Sequence, residues 1–553
     1  MAAVQSRIGV IFGLFFLLLV VAAGRTLYLG VLHGASLRQV ASNQQFTSET
    51  VTAQRGTISD RNGVDLAVSE PAQDISADPY LLKDALGASQ RLAPLLGAAQ
   101  ATVLRKLSER RGFVYLARAL PAKAAQQVLA LKIPGVAGTP VMRRVYPRGT
   151  LAAQVLGMVG TEGKGLAGLE YSRDGLLRGQ SGRREVVSDA IGQPVSITEV
   201  HPEVPGPSLS LTLDANIQQR TEDVLGAVGR VFNPKDATAI VMDPATGAVL
   251  SMANWPQVNA NEPGAAPAAA VENRAVGFAY EPGSTFKAFT VSGALQQGLV
   301  SAGTPFNVPD LIHVADRTIH DDTEHAEETL TTSQILARSS NVGAIKIGML
   351  EGASGFNRWV HAFGFGAPTG IELPGEEMGV TLPLDRYSGS SMGNLPIGQG
   401  ELVTPIQMAA AYSAIANGGI LRPPYIVGSV GGRLRPQAAG HRVISAATSA
   451  ALRQMLEGVL APGGTASEVS IPGYQLAGKT GTANKIDHAT GEYSKTAFVA
   501  SFIGFAPASN PKLLCAVVVD EPQTGSIYGG RVAAPAFGQI MSFALPYLRI
   551  PPG

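Results

Sequence analysis

The chain opens on an unbroken apolar run, Ile8 to Gly24, behind a single Arg7, and after Arg25 the pattern resumes as Thr26-Leu27-Tyr28-Leu29-Gly30-Val31-Leu32. About 20 apolar residues cross the hydrocarbon core of a bilayer, so the first run with part of the second predicts one membrane-spanning helix. Arg25 can snorkel to the outer interface, and Arg7 without a nearby acid predicts a cytoplasmic amino terminus. The rival is a cleaved signal peptide ending at Ala22-Ala23-Gly24, which the continuing apolar pattern disfavours. Both readings export the rest of the chain.

From about residue 40 to 200, short strand-like runs alternate with turn signals such as Arg61-Asn62-Gly63 and Tyr146-Pro147-Arg148-Gly149. Residues 82 to 132 are rich in Ala, Leu, Lys and Gln and predict helices. The stretch from His201 to Pro207 breaks any regular element. Three regions follow: 1–36 cytoplasmic tip and anchor, 37–204 a mixed α/β domain, 205–553 a second domain. The last opens with a strand at Ser210 to Leu213, an amphipathic helix from Ala215 and a hairpin turning at Asp243-Pro244-Ala245-Thr246. A helix from Thr404 to Asn417 stops at Gly418-Gly419; strands are expected at 474–483, 498–505 and 513–520, and a closing helix at 533–548. The segment 262–271 reads as a loop. The fold class is α+β, with an antiparallel sheet covered by helices from both chain ends.

Composition sharpens this. At 553 residues the chain is too long for one core. With 45% apolar and 15% charged residues it is globular, and a net charge of +1 without a basic run argues against a nucleic-acid partner. The one cysteine, Cys515, lies in the apolar run 513–519 and reads as a small buried hydrophobe. Eight histidines show no metal-ligand spacing, so neither metal nor cofactor is expected.

Three short motifs then occur in order: Ser284-Thr285-Phe286-Lys287, Ser339-Ser340-Asn341 and Lys479-Thr480-Gly481-Thr482. Alone, each has a plainer explanation as a helix cap, a turn or a strand end. Together, with the first behind Pro282-Gly283 at a helix start and the last in a strand, they describe acyl transfer. Ser284 would sit where helix dipoles favour developing negative charge, and Lys287, three residues on, shares its face. A desolvated, charge-crowded lysine can serve as the base that a serine nucleophile needs. Lys479, Thr480 and Thr482 suit a carboxylate, and Gly481 would let another chain approach the backbone. A substrate peptide could add along that strand, with Ser284 and Thr482 N–H groups as oxyanion hole.

These motifs resemble the active-site signature of penicillin-binding proteins and serine β-lactamases. Flanking residues narrow the resemblance to the class B penicillin-binding proteins: Arg55-Gly56-Thr57-Ile58, Asp60-Arg61-Asn62-Gly63 and Gly168-Leu169-Glu170 before residue 205, then Gly398-Gln399-Gly400, Val403-Thr404-Pro405 and Tyr528-Gly529-Gly530. The resemblance covers essentially the whole chain; its tail resembles the cell-division and sporulation branch more than elongation, and division is expected because no small repeated domain follows Leu548. It implies that 37–204 is a pedestal (dimerisation-type) domain and 205–553 a penicillin-binding transpeptidase domain. The protein would cross-link peptidoglycan stem peptides through a serine acyl-enzyme, releasing D-alanine, and be acylated by β-lactams. Ser284 would be the nucleophile, Lys287 the base and Ser339 a proton relay; Asn341, Lys479, Thr480, Gly481 and Thr482 would bind substrate. Implied partners are a membrane glycan polymerase and other division proteins, at a single-pass bacterial membrane with the catalytic domain extracytoplasmic. Arg55, Arg61 and Glu170 are expected to form a buried polar network.

Other functions fit less well. A class A β-lactamase needs a Glu-x-x-Leu-Asn loop between the second and third motifs, and none occurs. A bifunctional synthase needs an acidic Glu-Asp-x-x-Phe motif before residue 205, also missing. A penicillin sensor would need a signalling domain, and a non-catalytic scaffold would not keep every catalytic position filled.

Overall fold

The computed structural model describes residues 2–32, 46–188, 194–262, 264–487 and 489–552. The chain divides into two compact units, Met1–Gln54 with Gly179–Gly206, and Arg55–Arg178 with Pro207–Gly553.

In the first unit a helix spans Ala2–Leu27 and tightens into a π-helical turn at Tyr28–Leu32. The segment Arg7–Gly30, 24 residues, is long and apolar enough to cross a membrane. Its apolar side chains stand exposed; Phe12 is 72% exposed and Val10 70%. A stripe of that kind is stable in lipid. The Thr26 hydroxyl donates to Ala22 O at 2.7 Å, which satisfies a polar group that lipid would not. Separately, Phe46–Val51, Gly182–Ser188 and Pro194–His201 form an antiparallel sheet with Gly182–Ser188 in the middle.

In the second unit, the motif starting at Arg55 works as a set of buried staples. Asp60 is 1% exposed; its Oδ1 accepts the N–H of Asn62 (2.7 Å) and Val64 (2.8 Å), closing the Asn-Gly turn. Its Oδ2 accepts the N–H of Ala215 at 3.0 Å, tying that turn to the helix that starts at Ala215. Glu170, fully buried, receives Arg55 Nε (2.5 Å) and Arg144 Nε (2.6 Å), and Arg55 also reaches Asp174 at 2.7 Å. The expected network is therefore real, but Arg61 stands outside it. That residue lies on the exposed tip of the turn, and the inward position belongs to Asp60. Glu170→Ala would leave two buried guanidinium groups without their shared carboxylate, so a stability loss of about 3–5 kcal/mol is expected in urea unfolding.

Helices Ala85–Leu96, Gln100–Leu107 and Ala122–Ala130 pack on a sheet of Asp65–Ala77, Val114–Pro121 and Val136–Val145 around Ile75, Leu92 and Val103. The helical reading of 82–132 thus missed one strand, Val114–Pro121. Its alternating burial is a short period-two signal inside an Ala- and Leu-rich stretch.

The carboxyl-terminal part of this unit is built on strands Asp236–Met242 (β1), Val249–Trp255 (β2), Ala477–Ile486 (β3), Tyr493–Ala506 (β4) and Leu513–Asp520 (β5). They form an antiparallel sheet in the order β2-β1-β5-β4-β3, with β3 at the edge. Helices Ala215–Phe232 (α1) and Gly529–Tyr547 (α6) cover one face. Between them in sequence come Lys287–Gln296 (α2), Thr332–Arg338 (α3), Asn341–Ala362 (α4) and Pro405–Ala416 (α5). α5 lies against β5 and β1, capped by the Thr404–Gln407 capping box. β5 is buried along its whole length, Cys515 included. The 474–483 expectation started too early, because Tyr474 closes a turn on Ile471. The 262–271 loop ends in one helical turn, Ala268–Val271. Two small hairpin-like pairs had no sequence expectation: Pro305–Val308 with Glu328–Thr331, and Leu311–Val314 with Arg317–His320.

Candidate active site

Ser284 lies in a 3-10 turn, Gly283–Phe286, that runs straight into α2. The turn is held from three sides. Gly283 N–H donates to Gly398 O at 3.1 Å, and Tyr280 and Val403 exchange backbone bonds of 3.0 and 2.9 Å. Behind it, Tyr412 Oη donates to Thr285 O at 2.6 Å. Packing is so close that a Cβ at Gly398 would lie 2.3 Å from Gly283 O, and one at Gly481 2.9 Å from Thr285 Cγ2. The face of Gly481 is thus filled by the Ser284 turn, which packs where a side chain would stand.

The second motif joins two helices. Ser339 ends α3 in a left-handed conformation (φ 64°), and Ser340 caps α4 by accepting Gly343 N–H at 2.9 Å. A left-handed serine costs about 1 kcal/mol or more, a strain that collects at functional sites. It aims Ser339 Oγ between two lysines. Lys479 Nζ donates to that oxygen at 2.8 Å and Lys287 Nζ lies 3.3 Å from it. Lys287 also donates to Ser339 O (2.5 Å) and Asn341 Oδ1 (2.7 Å), and Lys479 to Thr480 O (3.2 Å).

Both lysines are fully buried. Burial pushes the Lys287 ammonium down to about 8, against the pull of Asp322 and Asp321. Burial, and then the neighbouring Lys287 charge, push Lys479 well below its usual range, with Asp322 opposing. Two buried amines on one hydroxyl titrate as a pair, and the pair gives up a proton far more readily than free lysines do.

The structure therefore brings Lys287, Ser339, Asn341, Lys479 and Thr480 into one hydrogen-bonded cluster, with Ser284 three residues ahead of Lys287. Among the described residues Ser284 Oγ has no hydrogen-bond partner, because the Lys287 ammonium is turned to Ser339 and Asn341. Thr482 Oγ1 accepts Gly529 N–H at 3.1 Å, which ties β3 to the start of α6.

Three further residues belong to this cluster and were not singled out in the sequence. Asp321 accepts the N–H of Asn341 (2.5 Å) and Val342 (2.9 Å) and the hydroxyl of Ser340 (2.7 Å), so it fixes the start of α4. Asp322 Oδ1 receives Asn341 Nδ2 at 3.3 Å, and Thr465 Oγ1 is 2.6 Å from Thr480 Oγ1. An aspartate pair just beyond a strand end was the available signal. Asp321→Ala should cost about 1–2 kcal/mol, the scale of a lost helix cap. A melting curve and the penicillin acylation rate of that variant should fall together.

A serine at the head of a helix, beside two buried amines that share a second serine's hydroxyl, fits the chemistry of penicillin-recognising acyl-enzymes. Comparison with known proteins agrees. Residues 237–542 match the penicillin binding protein transpeptidase domain, and residues 50–211 the penicillin-binding protein dimerisation domain. The chain is 35% identical over 569 residues to penicillin-binding protein PbpB of Mycobacterium tuberculosis, covering 97% of this chain and 84% of that protein. It is 34% identical over 558 residues to peptidoglycan D,D-transpeptidase FtsI of Escherichia coli K12, covering 99% and 93%. Penicillin binding protein 3 of Mycobacterium tuberculosis complexed with aztreonam superposes with a TM-score of 0.72 at 30% identity, over 91% of this chain and 98% of that one. The chain belongs to the class B penicillin-binding proteins, the serine-type D,D-transpeptidases of peptidoglycan.

Proposed function

We propose that Ser284 Oγ attacks the carbonyl between the last two D-alanines of a stem peptide, forming an ester and breaking the amide C–N bond. Lys287 takes the serine proton, and Ser339 with Lys479 hands a proton to the departing D-alanine amine. The reading rests on one observation, Ser339 Oγ held between the amines of Lys287 and Lys479. Asn341 would hold the donor backbone, and Lys479, Thr480 and Thr482 its terminal carboxylate, with Gly481 as the thin floor beneath. An amine of a second stem then resolves the ester and leaves a cross-link. Residues 37–204 serve as pedestal and 205–553 as transpeptidase domain. β-Lactams acylate the same serine. A fluorescent penicillin should label the protein covalently, and the label should persist over the time in which a β-lactamase would release it; rapid release would overturn the transpeptidase reading.

The similarity to FtsI supports a septal role at the cell membrane, and Arg7 ahead of the apolar run favours an amino terminus in the cytoplasm. Depletion should then give filaments, and round cells would point to elongation instead. A membrane glycan polymerase fits as partner, since the strands it makes are what this enzyme would join. Gly9 and Gly13 lie four apart on the anchor with open space above them, a spacing that suits close helix contact. Replacing residues 8–30 with an unrelated spanning helix should reduce co-purification with the polymerase; full rescue with unchanged co-purification would make the segment a tether only.

A further inference from the structure

Just ahead of the nucleophile, Glu281 is 8% exposed, and only half of its carboxylate is in use. Oε1 accepts Gly400 N–H at 2.9 Å and Tyr493 Oη–H at 3.2 Å, while Oε2 is buried without a partner. A buried carboxylate oxygen left unmatched is costly, and burial raises the Glu281 carboxyl above its ordinary range, so a cationic partner brought to Oε2 would be favoured. Glu281 lines a cavity of about 170 Å³ whose other walls include Phe278, Tyr280, Leu402, Ile486 and Val499. Lys485 also borders it, but its ammonium is taken by Asp520 (2.8 and 2.9 Å) and Glu521 (2.5 Å). One free carboxylate oxygen among mostly apolar walls suits an alkyl chain that ends in an ammonium.

The place of the cavity along β3 says which part of a substrate reaches it. β3 is an edge strand, so an extended peptide can run beside it at the same rise of about 3.3 Å per residue. On the reading proposed above, the donor's terminal carboxylate lies at Lys479 and Thr480. Its acyl carbon lies at the Ser284 turn, where a Cβ on Gly283 would come within 3.3 Å of Thr482 O and 3.1 Å of Ala483 Cβ. The residue preceding the terminal D-alanyl-D-alanine therefore falls beside Ala483 to Ile486, at the mouth of this cavity. We propose that the Glu281 cavity is the subsite for the donor stem's diamino-acid side chain, with Glu281 Oε2 receiving its ω-ammonium. The subsite makes the enzyme choose donors whose ω-amine is still free and charged.

The same chemistry could come from the acceptor stem, and the test separates the two. Purified full-length protein in detergent is offered Nα-acetyl-L-lysyl-D-alanyl-D-lactate or its Nε-acetylated twin, and Ser284 acylation is followed by intact mass. The free amine should acylate at least about tenfold faster, the scale of one hydrogen bond to a charged group. In Glu281→Gln, which keeps an acceptor for Gly400 and Tyr493, the ratio should fall to near one. Using a ratio cancels any general loss of activity. Equal rates in the unaltered protein, or a preference that survives in Glu281→Gln, would overturn the subsite. If both donors acylate alike and Glu281→Gln slows only transfer to an added amine, the cavity belongs to the acceptor and the donor placement is wrong. Penicillin labelling of the same samples tests the underlying reading independently: its loss in the unaltered protein would count against the acyl-enzyme, not the subsite.

Discussion

Ser284→Ala is expected to abolish covalent labelling by penicillin while leaving the protein folded. The side chain contributes little to stability: it is half-buried, and its hydroxyl has no hydrogen-bond partner among the described residues. The turn around it is held by backbone bonds to Gly398 and by Tyr412 Oη on Thr285 O, none of which the substitution touches. Loss of even a capping serine costs only about 1 kcal/mol, so the melting temperature should shift by a few degrees at most. Chemistry, by contrast, loses the atom that forms the ester. Intact-mass measurement after prolonged incubation should show the unmodified chain. An adduct on the alanine variant would place the nucleophile elsewhere.

The second large effect concerns the base. Lys287→Arg keeps a positive charge and removes the ability to lose it. Acylation should slow by at least about 100-fold, the low end of general-base help. The pH profile is the more telling measurement. Lys287 works as a base only when neutral, and burial lowers its affinity for protons to about 8. Below that value most molecules hold the proton, so the acylation rate should climb with pH and level off above about pH 8. Because Lys479 shares Ser339 Oγ with it, the midpoint belongs to the pair. In the arginine variant the rising limb near pH 8 should disappear. A variant that acylates near the original rate with the limb intact would remove Lys287 from the role.

How much of this was legible in the sequence depends on the range of the interaction. Local signals were readable: the helix starting at Ala215, the Asp243 turn that joins β1 to β2, and the helix from Thr404 that stops before Gly418-Gly419. The three motifs named the cluster around Ser339 because each carries its own short pattern. What depends on distant partners stayed hidden. Asp321 lies 20 residues before Asn341, and only folding shows that it holds the start of α4. Arg61 was placed in the Glu170 network because charge alone cannot tell an inward turn residue from its outward neighbour. The strand Val114–Pro121 lost its signal to helix-favouring surroundings.

The packing beneath the nucleophile also limits how such an enzyme can evolve away from an inhibitor. At Gly398 and Gly481 an added methyl group would meet Gly283 O at 2.3 Å or Thr285 Cγ2 at 2.9 Å, so the floor under Ser284 cannot be remodelled by small steps. Exposed positions such as Glu492, Lys495 and Thr496 carry no such restriction. Drug-escape lineages of this chain should therefore accumulate their first changes at such exposed positions, with the pinched glycines unaltered.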